Sequence, residues 1–348
     1  MPLSILKEVC MSFSMLRFIS ILSFIYLFSS SLAVAQENKY QQQIQPLAAN
    51  SLVLDIAKNQ QTLVAVGDRG HAFVYQDLWK QVNTPTQALL TKVFFITPEK
   101  GWAVGHDATI LHTTDGGQSW TLQMQSEEIE KPLLDILFFN EHDGVAVGAY
   151  GLFFRTQDGG KTWKSEYHQE LLFEEDVAYL AELKAEDEAL YLSERSMLLP
   201  HFNRIIQATD STLIMVGELG LVATSTDLGQ NWLKQDFIYE GSLFNAIIAG
   251  DTAFIMGLRG NVFKSDLSLV NWQSVGLPVD STINAGILLE EGVLRLVGNA
   301  GVIIDISVIG ESHLIEQRQG ENLVAIAEDS KGNLWVAGNK GLIKLEQK

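Results

Sequence analysis

The chain has very little cysteine: only Cys10, which lies ahead of an apolar run from Phe18 to Phe28. That run follows a basic residue and precedes three serines and Ala33-Val34-Ala35, an order typical of a secretory signal. It is also shorter than the roughly 20 apolar residues of a membrane-spanning helix. We expect residues 1–35 to be a signal peptide and the protein to be exported to the periplasm. Without cysteine, residues 36–348 can form no disulfide, thiolate metal site or cysteine nucleophile.

Basic residues are scarce as well. Lys and Arg number 24 against 42 Asp and Glu, which gives a formal net charge of −18. Binding of nucleic acid depends on positive charge that neutralises phosphates, so we do not expect that function. Proline is sparse, with 7 residues, whereas 28 glycines and 47% hydrophobic residues favour a folded chain over a disordered one. We expect a single domain over residues 36–348, without a transmembrane segment.

A short motif recurs seven times, in which an apolar strand, a G-x-x-G turn and a second apolar strand form a hairpin. Its first glycines are Gly67, Gly105, Gly148, Gly217, Gly257, Gly298 and Gly338. We expect glycine to supply the positive φ of these turns. An apolar strand precedes each hairpin and a fourth strand usually begins at a tryptophan, so each repeat predicts a four-stranded antiparallel blade. The predicted fold is all-β, a seven-bladed β-propeller.

The two ends of the repeat array predict how the ring closes. The last repeat stops after its third strand, and a strand-like stretch, Tyr40–Leu47, precedes the first repeat. We therefore expect this N-terminal strand to become the outer strand of the last blade and to cover its open edge.

One interval between repeats is 69 residues, against about 40 elsewhere, and it predicts an insertion between blades 3 and 4. The insertion, residues 165–200, holds ten acidic and two basic residues, and its Leu171–Leu192 stretch favours a helix. An approximate apolar stripe is formed by Val177, Leu180, Leu183 and Leu190. Two interpretations stay open: a solvated helix lying across the ring, and an element that docks a partner.

Three turns between third and fourth strands carry the Asp-box pattern S/T-x-D-x-G-x-T/S-W, with Asn231 in place of one hydroxyl residue. The boxes are Thr113, Asp115, Gly117 and Trp120; Thr156, Asp158, Gly160 and Trp163; and Ser225, Asp227, Gly229 and Trp232. An Asp side chain accepts backbone N–H bonds, glycine takes a left-handed conformation and Trp buries a large surface. We interpret these residues as structural, and not as catalytic groups or metal ligands.

The boxes resemble the bacterial neuraminidase (BNR) repeat of sialidases and sortilin-like receptors. Together with the V-x-G-x-x-G strands, the seven repeats are most similar to the photosystem II stability and assembly factor family, which includes relatives in non-photosynthetic bacteria. The resemblance implies an exported, non-enzymatic propeller without a cofactor. Such a protein would act as an assembly, accessory or scaffold factor for a membrane or envelope protein complex. In a photosynthetic host its compartment would be the thylakoid lumen.

Candidate binding residues are expected on or near the face that carries the turns between second and third strands. They are Arg69, Lys92, His106, Tyr150, Arg204, Arg259 and Lys340. In the family that the chain resembles, a basic surface patch is associated with the partner, whereas here the basic residues are spread over several blades.

Two other functions stay open. The first is a carbohydrate-binding or sialidase-like propeller that uses the axial mouth near His106, Tyr150 and Arg259. The second is a quinone-cofactor or lactonase propeller. The sialidase F-R-I-P signature is absent and the histidines lack metal-ligand spacing, which disfavours both.

Overall fold

The computed structural model describes residues 44–289, 292–307 and 309–346. The expected signal peptide, residues 1–35, lies outside the described residues. The described chain forms seven antiparallel sheets, each built from consecutive strands, and two α-helices.

The strands of blades 1 to 3 follow the predicted repeats closely. They are β1 (Val53–Lys58), β2 (Leu63–Gly67), β3 (Ala72–Gln76) and β4 (Leu78–Val82); β5 (Leu90–Phe95), β6 (Gly101–Gly105), β7 (Ile110–Thr113) and β8 (Thr121–Met124); and β9 (Leu133–Phe138), β10 (Gly144–Gly148), β11 (Phe153–Thr156) and β12 (Lys164–Ser165).

Blades 4 to 7 repeat the same order. Their strands are β13 (Phe202–Thr209), β14 (Thr212–Gly217), β15 (Val222–Ser225) and β16 (Leu233–Lys234); β17 (Leu243–Ala249), β18 (Thr252–Gly257), β19 (Val262–Asp266) and β20 (Gln273–Val275); β21 (Ile283–Leu288), β22 (Leu294–Gly298), β23 (Val302–Ile306) and β24 (Ser312–Gln317); and β25 (Leu323–Glu328), β26 (Leu334–Gly338) and β27 (Gly341–Lys344).

The first strand of each blade is innermost. Successive innermost strands contact one another around the ring, and β25 contacts β1. The apolar core lies between neighbouring blades, where the second strands are almost wholly buried; Val64 and Val66 of blade 1, for example, pack with Leu111 of blade 2. The structure thus confirms the seven-bladed propeller with four-stranded antiparallel blades.

The seventh blade has three strands within the described residues. Of the predicted closing strand, Ile44–Leu47 lie outside any strand and the earlier residues are not described. The next turn, Ala48–Asn50, packs against β27. Blades 7 and 1 also meet through an aromatic cluster, in which the ring of Trp335 lies 5.0 Å from that of Tyr75 and 5.5 Å from that of Trp79.

Glycine supplies a positive φ in six of the seven turns, as predicted, but it is the later glycine of the motif that does so, and the first glycine has a different role. Gly67 is extended, with φ of −175°, and a Cβ there would lie 2.2 Å from the carbonyl oxygen of Leu52, just ahead of β1. The corresponding glycine of every other blade meets a carbonyl in the same way, at 2.2 Å or less. The positive φ falls instead on the end of the turn, at Arg69 (52°) and Gly70 (71°). Close approach of two strands therefore requires the first glycine.

The insertion between blades 3 and 4 contains two helices, α1 (Glu174–Glu186) and α2 (Glu188–Leu198). The chain breaks between them at Asp187, whose side chain caps α2 by accepting a hydrogen bond from the Leu190 nitrogen at 3.0 Å. Leu180 is buried, and Val177 and Leu183 pack partly buried against blades 3 and 4. Leu190, by contrast, is 43% exposed. The predicted stripe is wrong at that residue because a single helix does not continue through Asp187.

Candidate functional site

The turns between second and third strands contact the links that join the blades, and together they form what we call the turn-bearing face. The Gly151 nitrogen, for instance, donates to the Pro200 carbonyl at 3.0 Å, and the Thr84 hydroxyl donates to the Gly70 carbonyl at 2.7 Å. Five of the seven candidate binding residues lie in these turns with exposed side chains: Arg69, His106, Tyr150, Arg259 and Lys340. They belong to five different blades, so the structure places them on one face without bringing them together.

The other two candidates, Lys92 and Arg204, line the central channel instead. The Lys92 ammonium lies 2.9 Å from the Asp55 carboxylate, and the Arg204 guanidinium lies 3.0 Å from the carboxylate of Asp135. Asp135 is fully buried, and it also accepts a hydrogen bond from the Ile205 nitrogen at 2.8 Å. Both cations are thus neutralised within the ring.

Uncharged side chains of the channel also connect one blade to the next. Asn203 donates to the Leu243 carbonyl at 2.8 Å, Asn245 to the Asn284 carbonyl at 3.0 Å, and Asn284 to the Leu323 carbonyl at 2.7 Å. The channel holds a cavity of about 250 Å³. Its polar lining is therefore largely occupied in joining blades.

The Asp-boxes lie on the opposite face, beside the turns between first and second strands; the Gly116 nitrogen donates to the Glu99 carbonyl at 2.9 Å. We call this the Asp-box face. In the first box, Asp115 accepts hydrogen bonds from the Thr113 hydroxyl at 2.8 Å and from the Ser119 nitrogen and hydroxyl at 2.9 and 2.5 Å. Asp158 and Asp227 accept equivalent bonds.

Asn231 preserves the third box, because its amide donates to Asp227 at 2.8 Å where the other boxes use a hydroxyl. The donating side chain of Asn231, supported by the backbone nitrogen of the same residue, lowers the pKa of Asp227 to about 2. The hydroxyl and backbone nitrogen of Thr162 lower the pKa of Asp158 to about 2 in the same way. The carboxylates of the boxes thus serve as hydrogen-bond acceptors inside their own turns.

The box tryptophans pack against the preceding blade. Trp120 lies with Val64 and Val66 of blade 1, and Trp232 lies in a buried cluster with Phe153 of blade 3. Trp163 is partly buried against the cluster that contains Trp102 and Ile110 of blade 2, and it meets Phe138 of its own blade edge-to-face at 5.9 Å.

A groove of about 500 Å³ lies between the boxes of blades 3 and 4. Arg155 crosses it and joins the two blades: its guanidinium donates to Glu166 at 2.7 Å and to the carbonyls of Leu228 and Gly229 at 2.8 and 2.7 Å. Phe139, Gln157 and Gln230 also line the groove. Sequence reasoning missed this groove because its walls come from residues about 75 positions apart.

The start of the insertion is fixed to the same two blades. His168 is buried; its Nδ1 lies 2.9 Å from Glu170, its Nε2 lies 3.6 Å from Glu166, and its ring meets Phe153 at 4.3 Å. Glu170 in turn accepts a hydrogen bond from the Trp232 nitrogen at 3.3 Å. The insertion is therefore attached to the propeller by polar as well as apolar contacts.

Helix α2 and the β10–β11 turn enclose a second cavity, of about 200 Å³, which we call the α2 cleft. Its lining includes Lys131, Tyr150, Tyr167, Leu192 and Arg195. The Lys131 ammonium donates to the Ser196 carbonyl at 2.5 Å and lies 5.2 Å from the centre of the Tyr150 ring. Burial lowers the pKa of Lys131 and raises that of Tyr167. Of the predicted binding residues, Tyr150 alone lines this cleft.

Among the described residues, no His, Cys, Asp and Glu side chains form a group of three or more that could hold a metal ion. No helix in the same ranges has the length and apolar character needed to cross a membrane.

The sequence of the chain is similar to known proteins over a limited stretch. The model of the family described as photosynthesis system II assembly factor YCF48 matches residues 71–130, from the third strand of blade 1 through the whole of blade 2. A photosystem II assembly protein Ycf48 from a Synechococcus strain is 45% identical over 47 residues, which cover 13% of this chain and 14% of that protein. The match thus spans about 14% of the relative's length.

The fold is similar to solved propellers over nearly its full extent. A structure of YCF48 bound to a D1 peptide has a TM-score of 0.62 and 18% identity, covering 88% of this chain and 96% of that chain. A streptogramin B lyase has a TM-score of 0.66 and 11% identity, covering 89% and 98%. At these identities the likeness shows the fold alone. The chain is thus a seven-bladed β-propeller whose residues 71–130 are similar to the YCF48 family.

Proposed function

We propose that the protein is an exported, non-enzymatic assembly or accessory factor that binds a protein of a membrane or envelope complex. The observation that carries this proposal is a Ycf48-like propeller whose insertion adds a cleft to the turn-bearing face. The similar YCF48 binds a D1 peptide, which supports a polypeptide as the partner. Export follows from the signal-like order of residues 1–35.

The polar groups of the ring favour binding over catalysis. The box carboxylates accept hydrogen bonds within their own turns, and the channel cations are paired with Asp55 and Asp135. A catalytic acid or base needs a side chain that can reach a substrate proton. Exposed side chains such as those of Tyr150 and Arg259 lie on the turn-bearing face, which offers a broad surface to a macromolecule.

Recovery of a partner from gently solubilised envelopes of the native host tests this function. The tagged protein should retain an integral membrane protein identifiable by mass spectrometry. A variant in which residues 174–198 are replaced by a Gly-Ser linker should retain less of it, because the linker removes α1 and α2 while keeping the buried Leu171 and Leu172. A wild-type protein that retains no membrane protein would contradict the proposal.

A carbohydrate-binding function has one observation in its favour, the groove on the Asp-box face. Phe139 offers an apolar surface there, and Gln157 and Gln230 offer amide groups; such a mixture is typical of ligand sites. The axial mouth is less suited, since His106, Tyr150 and Arg259 lie on separate turns. A glycan array combined with fluorogenic glycosides tests both sites, and an absence of signal in both assays would exclude this function.

A further inference from the structure

The α2 cleft is lined by two cations, Lys131 and Arg195, and by the carboxylate of Glu166, which pairs with Arg155 at 2.7 Å and with neither of them. Within the described ranges, Lys131 donates to a backbone carbonyl and Arg195 stacks over Tyr167 at 3.9 Å, and neither forms an ion pair. The Nε of Arg195 is buried and has no hydrogen-bond partner there. On a chain with a formal net charge of −18, two cations without ion pairs in one cavity are unexpected, and leaving the buried Nε of Arg195 without an acceptor is costly.

Apolar surface adjoins these cations on the turn-bearing face. Tyr150 is 44% exposed, and Leu192 of α2 is 51% exposed. The Tyr150 ring meets His201 at 4.5 Å, and His201 lies 3.4 Å from Glu218, next to Leu219 at the tip of the blade 4 turn. Leu219 is 57% exposed. The apolar surface thus extends from the cleft to the neighbouring turn.

Resting on the proposed function, we propose that the α2 cleft binds an acidic side chain that is flanked by apolar residues within a continuous segment of the partner protein. Arg195 and Lys131 would give the carboxylate charge-assisted hydrogen bonds, and Tyr150 and Leu192 would contact its apolar neighbours. A cavity of about 200 Å³ suits one side chain rather than a folded element.

The charge around the cleft sets the composition of that segment. Glu166 lines the cleft itself, and Asp176 in the first turn of α1 is close enough to act on Tyr167, so these carboxylates repel a long acidic run. One acidic residue in apolar surroundings meets the two cations at contact distance, where their attraction exceeds the screened repulsion of more distant charges. The cleft therefore selects partners by rejection as well as by attraction.

Synthetic peptides test the proposal on the purified protein. The probe is an acetylated and amidated Gly/Ser dodecapeptide with Leu-Asp-Phe at its centre, measured by isothermal titration calorimetry. We expect it to bind about tenfold more tightly than matched peptides with Leu-Asn-Phe or Gly-Asp-Gly. Equal affinity for the Asp and Asn peptides would overturn the proposal, as would a Kd above about 1 mM for the Leu-Asp-Phe peptide.

Matched variants locate the binding. Arg195→Met and Lys131→Met should each abolish the difference between the Asp and Asn peptides, whereas Lys80→Met, at an exposed position of β4, should leave it unchanged. Leu192→Ser replaces an exposed side chain and so keeps the fold. It should lower the affinity for the Leu-Asp-Phe peptide severalfold. If both cation variants still bind the Asp peptide more tightly than the Asn peptide, the site lies elsewhere and the proposal is overturned.

Envelope recovery separates this proposal from the function on which it rests. If the wild type retains a membrane protein and Arg195→Met retains it equally, the assembly function stands and the cleft proposal fails. If the wild type retains none, the assembly function fails, whatever the peptides show. Loss of retention in Arg195→Met, with retention by Lys80→Met unchanged, supports both.

Discussion

The Asp-box face and the turn-bearing face use polar side chains in opposite ways. On the Asp-box face, Asp115, Asp158 and Asp227 accept hydrogen bonds from their own turns, and the box tryptophans are inserted between blades. On the turn-bearing face, Arg259 and Lys340 extend from the turns as exposed side chains. The residues with the most recognisable motif therefore stabilise the fold, and the ones without a motif are those available to a partner.

The largest difference between the two faces is expected in how much a single substitution lowers the free energy of unfolding. Trp232→Ala on the Asp-box face removes a buried side chain from the cluster with Phe153, and it should lower the free energy of unfolding by about 3–5 kcal/mol. Leu219→Ala on the turn-bearing face removes an exposed side chain and should change that free energy by less than about 0.5 kcal/mol. Urea unfolding measures both, and equal losses would refute the contrast.

Arg204→Met sharpens the comparison, because this residue was expected at the binding face and lies in the channel. The substitution leaves the buried carboxylate of Asp135 without its cation. Removing one partner of a buried ion pair costs about 3–5 kcal/mol, and we expect the lower end of this range because Asp135 keeps its bonds from the Ile136 and Ile205 nitrogens. Unchanged urea unfolding would mean that the pair does not stabilise the ring.

The strands could be predicted from the sequence because their signals are local. An apolar strand precedes each hairpin as predicted, for example β21 (Ile283–Leu288), since an apolar run bounded by turn residues specifies a strand without reference to distant parts of the chain. The role of Gly67 could not be predicted in this way. It depends on the carbonyl of Leu52, whose distance is fixed only when the two strands pair.

The ion pairs of the channel and the lining of the α2 cleft could not be predicted either, because the residues that meet there are far apart in the sequence. Asp55 and Lys92 are 37 positions apart and belong to different blades, so a sequence pattern gives no indication that they pair. Both Asp55 and Asp135 hold the third position of an inner strand, and the matching Lys92 and Arg204 follow one blade later. This alternation was a usable signal, although its meaning depends on the geometry of the ring.

Lowering the pH should remove the stabilisation that the Asp-box carboxylates provide to their turns. The pKa of Asp227 is about 2 in the folded protein, below the ordinary 3.8, so the stabilisation it provides is complete above about pH 4 and is lost as the pH falls towards 2. Between pH 4.5 and 2, the melting temperature of Asp227→Asn should therefore decrease less than that of the wild type. Asp251→Asn, in the exposed β17–β18 turn, serves as the matched control. A slope that is the same in wild type and Asp227→Asn would contradict the role of the carboxylate.

The smallest effect on stability is expected at the tip of a turn. Arg259→Ala exchanges one exposed residue for another at a positive φ of 55°, so the melting temperature should stay within about 2 °C of the wild type.

The effect of Arg259→Ala on partner recovery distinguishes two ways in which the turn-bearing face could bind a partner. If scattered cations of the turns attract an acidic partner at long range, recovery should fall mainly at low ionic strength, because screening removes such attraction above about 0.15 M salt. If the α2 cleft supplies the recognition, Arg259→Ala should retain the partner at every salt concentration at which the wild type does. Loss of recovery at high salt in Arg259→Ala would instead show that the tip of blade 5 belongs to the contact itself.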